Sequence, residues 1–89
     1  MRYTVIWTPT AEQNLATVWM DAHDRNAVVT AASIVDQLLA QNPEGQGEVR
    51  FDTVRIFLFS PLGLDFEIVE DDRIVFVLSV WDTTTENPS

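Results

Sequence analysis

Residues 50–81, RFDTVRIFLFSPLGLDFEIVEDDRIVFVLSVW, hold most of the large apolar side chains of this chain and decide its fold. Thr53–Phe59 is dense in β-branched and aromatic residues and predicts a strand. Ser60-Pro61-Leu62-Gly63 supplies a turn, because Pro fixes φ and Gly tolerates positive φ. A second strand follows over Leu64–Val69, where Leu64, Phe66 and Ile68 alternate with Asp65 and Glu67. The acidic turn Glu70-Asp71-Asp72 leads into a third strand, Arg73–Trp81, apolar at nearly every position. Alternation predicts a sheet covered on one face, and the nearly all-apolar last strand predicts a central place in it. The other face is then where function has to sit.

Working outward, Asn42-Pro43-Glu44-Gly45-Gln46-Gly47 is a loop by its Pro and Gly content. Before it, Val28, Ala31, Ala32, Val35, Leu38 and Leu39 form one apolar stripe, predicting a helix from about Arg25 to Gln41 with Asp24 as its cap. A first helix is expected from Pro9 to about Ala22. Thr8 is its N-cap, Pro9 its first residue and Glu12 an acid in the first turn, with Ala11, Leu15, Val18, Trp19 and Ala22 on one face. The small Ala31 and Ala32 permit close approach, so the helices should form an antiparallel hairpin. Arg2–Thr8 is a short strand candidate that must join the sheet or leave Tyr3, Val5 and Trp7 exposed. Asp82–Ser89 is polar and is expected to be a frayed tail beyond a single domain over residues 1–81.

The order is β-α-α-β-β-β. This predicts an α+β fold in which a helical hairpin packs on one face of a mostly antiparallel four-stranded sheet.

Composition narrows the chemistry. Across 89 residues, 14 acidic side chains face five basic ones, for a net charge of −9, and every basic residue is Arg. A field of that sign repels phosphate backbones, so binding of free nucleic acid is not expected. There is no Cys, which excludes disulfides and thiolate metal sites, and a single His, His23, cannot build a histidine metal cluster. No cofactor or metal is therefore expected. No run approaches the ~18 apolar residues of a membrane span, and no leader pattern precedes the first strand, so the expectation is a cytoplasmic chain with no membrane contact.

Several pieces occur together in order: Tyr3-Thr4-Val5-Ile6-Trp7, then Pro9 with Ala11 and Leu15, then Asn42-Pro43 with Gly45 and Gly47. Arg50 and Arg55 enter the sheet, Pro61 precedes the next strand, and Asp72-Arg73-Ile74-Val75-Phe76-Val77-Leu78 closes the pattern. In this combination, from Tyr3 to Trp81, the chain resembles the RelE/ParE superfamily of toxins from type II toxin–antitoxin systems. The resemblance implies an antitoxin as protein partner. It also implies one of two actions: inhibition of DNA gyrase, as in ParE-like members, or mRNA cleavage on the ribosome, as in RelE-like members. A homodimeric domain with a degenerate site is a third alternative.

Strand periodicity assigns the faces. With Val54, Ile56 and Leu58 under the helices, Arg55, Phe57 and Phe59 point outward. With Ile74, Phe76, Leu78 and Val80 in the core, Arg73, Val75, Val77, Ser79 and Trp81 share that outer face. Arg55 and Arg50 are the candidate catalytic cations, able to meet a phosphate, with Asp65 or Glu67 as the candidate base. Phe57, Phe59, Val75, Val77, Ser79 and Trp81 are the candidate partner-binding residues, since an apolar patch of that extent calls for cover. Ser79–Trp81 stands where RNA-cleaving members of the family carry His or Tyr, and no Lys is present. The sequence therefore favours partner binding over RNA cleavage.

Overall fold

A computed structural model describes residues 2–84. Its elements are β1 (Thr4–Trp7), α1 (Pro9–Asp21), α2 (Arg25–Gln41), a single 3-10 turn (Pro43–Gly45), β2 (Glu48–Phe51), β3 (Val54–Phe59), β4 (Leu62–Val69) and β5 (Ile74–Asp82). The sheet has five strands in the order β1-β5-β4-β3-β2, with β1 parallel to β5 and every other pair antiparallel. Both helices lie against one face, giving the expected α+β arrangement with one strand more than the sequence predicted.

The additional strand is β2. Its four residues are all exposed, so the burial that marks a strand in sequence is missing. It pairs with β3 across a two-residue turn, Asp52-Thr53, in which Asp52 takes a φ of 54°. Asp is among the residues that tolerate this left-handed region. The turn between β3 and β4 is also shorter than predicted: only Ser60 and Pro61, joined by a cis peptide, lie between the strands. At the far end β5 includes Asp82, the first residue of the predicted tail, and residues 85–89 of that tail lie outside the described residues.

The helix boundaries follow their caps. The Thr8 hydroxyl oxygen accepts the Ala11 N–H at 3.2 Å, as an N-cap should, and its O–H donates to the Val77 carbonyl at 2.8 Å. One side chain thus starts α1 and ties it to β5. Asp24 accepts the Ala27 N–H at 3.0 Å and starts α2. Arg25 donates to the Trp19 and Met20 carbonyls, both at 3.1 Å, satisfying acceptors at the end of α1 with a cation the helix dipole favours. The hairpin corner is closed by this one side chain.

The core lies between the helices and the inner sheet face. Ala11 and Val18 of α1 and Val28, Ala31, Val35 and Leu39 of α2 meet Phe57, Leu62, Leu64, Phe66, Val75, Val77 and Val80. β1 closes one edge, with Val5 and Trp7 on the same side. The Trp7 indole N–H donates to Asp36 at 2.9 Å and the Tyr3 N–H to the Ala40 carbonyl at 2.7 Å, so β1 is fastened to α2 as well as to β5.

Two strand faces are the reverse of the sequence-based assignment. On β3, Phe57 is buried and Phe59 packs against the core, while Leu58 is 63% exposed on the opposite face. On β5, Val75 and Val77 are fully buried, whereas Ile74 and Phe76 are half-buried on the outer side. Registry explains both. Phe57 pairs with Leu64 and Phe59 with Leu62, so they share the face of the β4 core residues. Arg73 lies in the turn with a φ of 53°, and the four-residue connection pairs Val69 with Ile74, which places Val75 beside Ile68. Val80 returns to the core only because the register shifts between Asp65 and Phe66, leaving Leu78 as an extra residue. Asn14 of α1 accepts the Val80 N–H at 3.1 Å beside this bulge.

Candidate functional site

The outer sheet face carries Ile6 of β1, Ile56 and Leu58 of β3, Asp65 and Glu67 of β4, and Phe76, Ser79 and Trp81 of β5. At its centre lies one polar cluster. The Arg50 guanidinium donates from Nη1 to both Asp65 oxygens, at 3.0 and 3.2 Å, and Ser79 Oγ donates to Asp65 Oδ2 at 3.0 Å. Two donor groups therefore make three hydrogen bonds to one carboxylate. Local structure makes this possible: a register shift in β2 between Val49 and Phe51 brings Arg50 over the sheet, and Asp65 pairs directly with Ser79 across β4 and β5. The Asp65 side chain is mostly covered while that of Arg50 is half-exposed, so the remaining N–H donors of Arg50 face solvent. Beside them Thr53 donates to Glu67.

Trp81 lies at the end of this face over Gly63, its direct partner across the strands. A Cβ on Gly63 would come within 2.9 Å of indole Cζ2 and closer still to Cε2 and Nε1. The indole plane thus occupies the space a side chain would take. Gly63 is needed here for close approach, and the ring shields backbone that Gly leaves bare.

The predicted site residues separate in three ways. Arg50, Ser79 and Trp81 come together on the outer face. Phe57, Val75 and Val77 are core residues, and Phe59 packs against the core, stacked edge-on with Phe57 at 6.2 Å between centroids. Arg55 lies on the helix side, paired with Phe66 and Val49, and reaches the Glu44 carbonyl at 3.4 Å. It holds the loop after α2 and is not on the outer face.

Two of the remaining cations are also engaged. Arg25 stacks on Trp19 at 4.3 Å from the ring centroid while capping α1. Arg73 lies over the Tyr3 ring at 5.4 Å. The Tyr3 hydroxyl donates to Glu70 at 3.0 Å, and its pKa is raised above the usual tyrosine value, first by lost solvation and then by this carboxylate. Among the described residues no group of three or more His, Cys, Asp or Glu is placed to hold a metal ion, and no helix is long and apolar enough to cross a membrane.

A second concave feature was not anticipated from sequence. A groove along the helical hairpin, lined also by Trp7 of β1, combines apolar Leu15, Trp19 and Val29 with polar Glu12, Ser33, Asp36 and Gln37. The signal for it was present: Trp19-Met20 and Val28-Val29 place apolar residues beyond a single helix stripe.

A helical hairpin on a mostly antiparallel sheet with a parallel edge strand is the fold this chain shares with solved structures of RelE and ParE toxin–antitoxin proteins. The structure superposes on a chain of the toxin–antitoxin complex RelBE2 from Mycobacterium tuberculosis with a TM-score of 0.76, at 19% identity, covering 92% of each chain. Against the chromosomal ParDE system of Pseudomonas aeruginosa the TM-score is 0.66 at 19% identity, over 91% of this chain and 96% of the other. Against the archaeal RelE–RelB complex from Pyrococcus horikoshii it is 0.59 at 13% identity, over 97% and 100%. No protein-family model and no curated protein matches the chain. At these identities the likeness is one of fold.

Proposed function

We propose that the chain is the toxin-type component of a type II toxin–antitoxin pair, that it binds an antitoxin, and that it acts by binding an essential protein assembly such as DNA gyrase. The fold supports the first part, since the three structures named above, which share it over nearly their whole length, belong to toxin–antitoxin systems. The observation that carries the choice of action is the Arg50–Asp65–Ser79 cluster. An endoribonuclease needs cations for the scissile phosphate and a base for the 2′-OH. On the outer face Arg50 is neutralised by Asp65, and Asp65 accepts three hydrogen bonds, so neither is disengaged for that work. Arg55, the other candidate, serves the helix-side loop.

What the face offers instead is a recognition surface. It combines exposed Leu58, the Trp81 indole and a guanidinium held in place by its carboxylate, a composition suited to a protein partner. Arg50, Ser79 and Trp81 are the residues we assign to it. Induced expression is expected to arrest growth, and co-expression of the adjacent small open reading frame to relieve the arrest. Growth unaffected by induction of the folded chain contradicts the toxin reading.

A further inference from the structure

The two edges of the sheet are built differently. β2 is charged at Glu48 and Arg50 and is interrupted by a register shift. Charges and bulges on an edge discourage another strand from pairing with it. β1, the opposite edge, has neither. Thr4-Val5-Ile6-Trp7 is uncharged, free of Gly and Pro, and paired with β5 in an unbroken register. All 14 acidic residues of the chain come after it, beginning with Glu12.

The backbone shows which groups this edge leaves open. The Thr4 N–H donates to the Arg73 carbonyl at 2.8 Å and the Thr8 N–H to the Val77 carbonyl at 3.1 Å, so the even-numbered residues turn their peptide groups toward β5. Alternation then aims the N–H and C=O of Val5 and of Trp7 away from the sheet. Tyr3 is oriented as they are, but its N–H is taken by the Ala40 carbonyl at 2.7 Å. β1 thus offers two donors and two acceptors along its open side.

We infer that a second copy of this chain adds to this edge, β1 against β1, antiparallel about a two-fold axis at Ile6. Opposed residues must share a face, so the axis passes through a residue and not between two. Centred on Ile6, Val5 of one copy faces Trp7 of the other, and each such pair exchanges two hydrogen bonds. Every open group of β1 is then paired. Centred on Val5, Trp7 would face Tyr3, whose N–H is already engaged. Centred on Trp7, Val5 would face Pro9, which has no N–H. Only the Ile6 register leaves nothing over. It also covers Ile6, 38% exposed on the outer face, with its own counterpart. Charge agrees with this occupant. Two chains of −9 meet along a stretch without charged side chains, and a basic partner segment would find no carboxylate in it. The product is one sheet of five strands from each copy, with both Arg50 clusters on the same side. The pairing stands independently of the target proposed above.

Because the chain has no Cys, a single introduced thiol reports on a single position. Ile6→Cys is expected to give a disulfide-linked dimer under mild oxidation. Residues of a non-hydrogen-bonded pair lie about 4.5 Å apart between Cα atoms, within disulfide reach. Thr4→Cys should stay monomeric, since in this register the two positions are displaced by about 13 Å along the strands. So should Val49→Cys on the β2 edge. Sedimentation equilibrium of the unmodified chain should show a weak dimer that strengthens with salt, as repulsion between the copies is screened. Val5→Pro removes an outward donor and no bond to β5, so the folded variant should dimerise at least about tenfold more weakly, with an unchanged circular dichroism spectrum. Should that variant not fold, the cysteine comparison decides. A chain monomeric at every concentration, cross-linking at Thr4 or Val49 in place of Ile6, or undiminished dimerisation of folded Val5→Pro overturns the inference. Growth arrest by a strictly monomeric chain removes the dimer and leaves the toxin reading standing.

Discussion

Phe66→Ala is expected to lower the unfolding free energy by about 3–5 kcal/mol, the range for emptying a large buried aromatic site. Phe66 is fully buried at the middle of β4, the central strand, with Val77 of β5 and β3 on either side. A domain of this size has about 5–15 kcal/mol in total, so the variant should be close to unfolding at growth temperature. Urea denaturation checks it as a lower midpoint with an unchanged slope. Leu58→Ala is the control. Leu58 is as large an apolar residue but lies 63% exposed on the other face, and its loss should cost no more than about 0.5 kcal/mol. Equal losses at the two sites contradict the assignment of faces.

Gly63→Val is the second large effect, with an expected cost of about 1–3 kcal/mol from overpacking against the Trp81 indole. Because the clash is with a side chain, its energy should depend on that side chain. Placed in a Trp81→Ala background, the same Gly63→Val change is expected to cost markedly less, and the difference is the coupling between the two positions. Additive losses would mean that Gly63 is required by backbone geometry and not by the ring.

These two tests bear on how far the molecule could be read from its residues. The helices were legible to within a residue because their caps are explicit: Thr8-Pro9 and Asp24 specify starts that the structure uses directly. The β4 faces were legible because Asp65 and Glu67 interrupt an apolar series. The faces of β3 and β5 were not, because both strands are apolar on both sides and periodicity alone has nothing to distinguish. Turn length holds the missing information. An even-numbered hairpin turn pairs Phe59 with Leu62 or Leu64, and either pairing places Phe57 and Phe59 on the β4 core face. At the next turn, one residue decided the outcome. Arg73 in the turn makes the connection four residues, and every side chain of β5 up to the bulge changes face.

The site was legible in a more limited way. Arg50, Ser79 and Trp81 stand out in the sequence as candidates, and all three lie on one face. Arg55 is not legible because a charged residue in an apolar strand suggests the solvent face, whereas the register sets it opposite Phe66 on the helix side, where it turns to the Glu44 carbonyl. The bulge in β2 that delivers Arg50 to Asp65 has no sequence signature, since a register shift is a property of two strands together.

The proposed function has the outer face recognising protein rather than cleaving RNA. The most direct measurement maps mRNA 5′ ends on ribosomes of a translating extract supplied with the purified folded chain. No new ends above the untreated extract are predicted, because Asp65 neutralises Arg50 and, accepting three hydrogen bonds, is itself engaged. Codon-phased cleavage that Arg50→Ala abolishes would contradict the account.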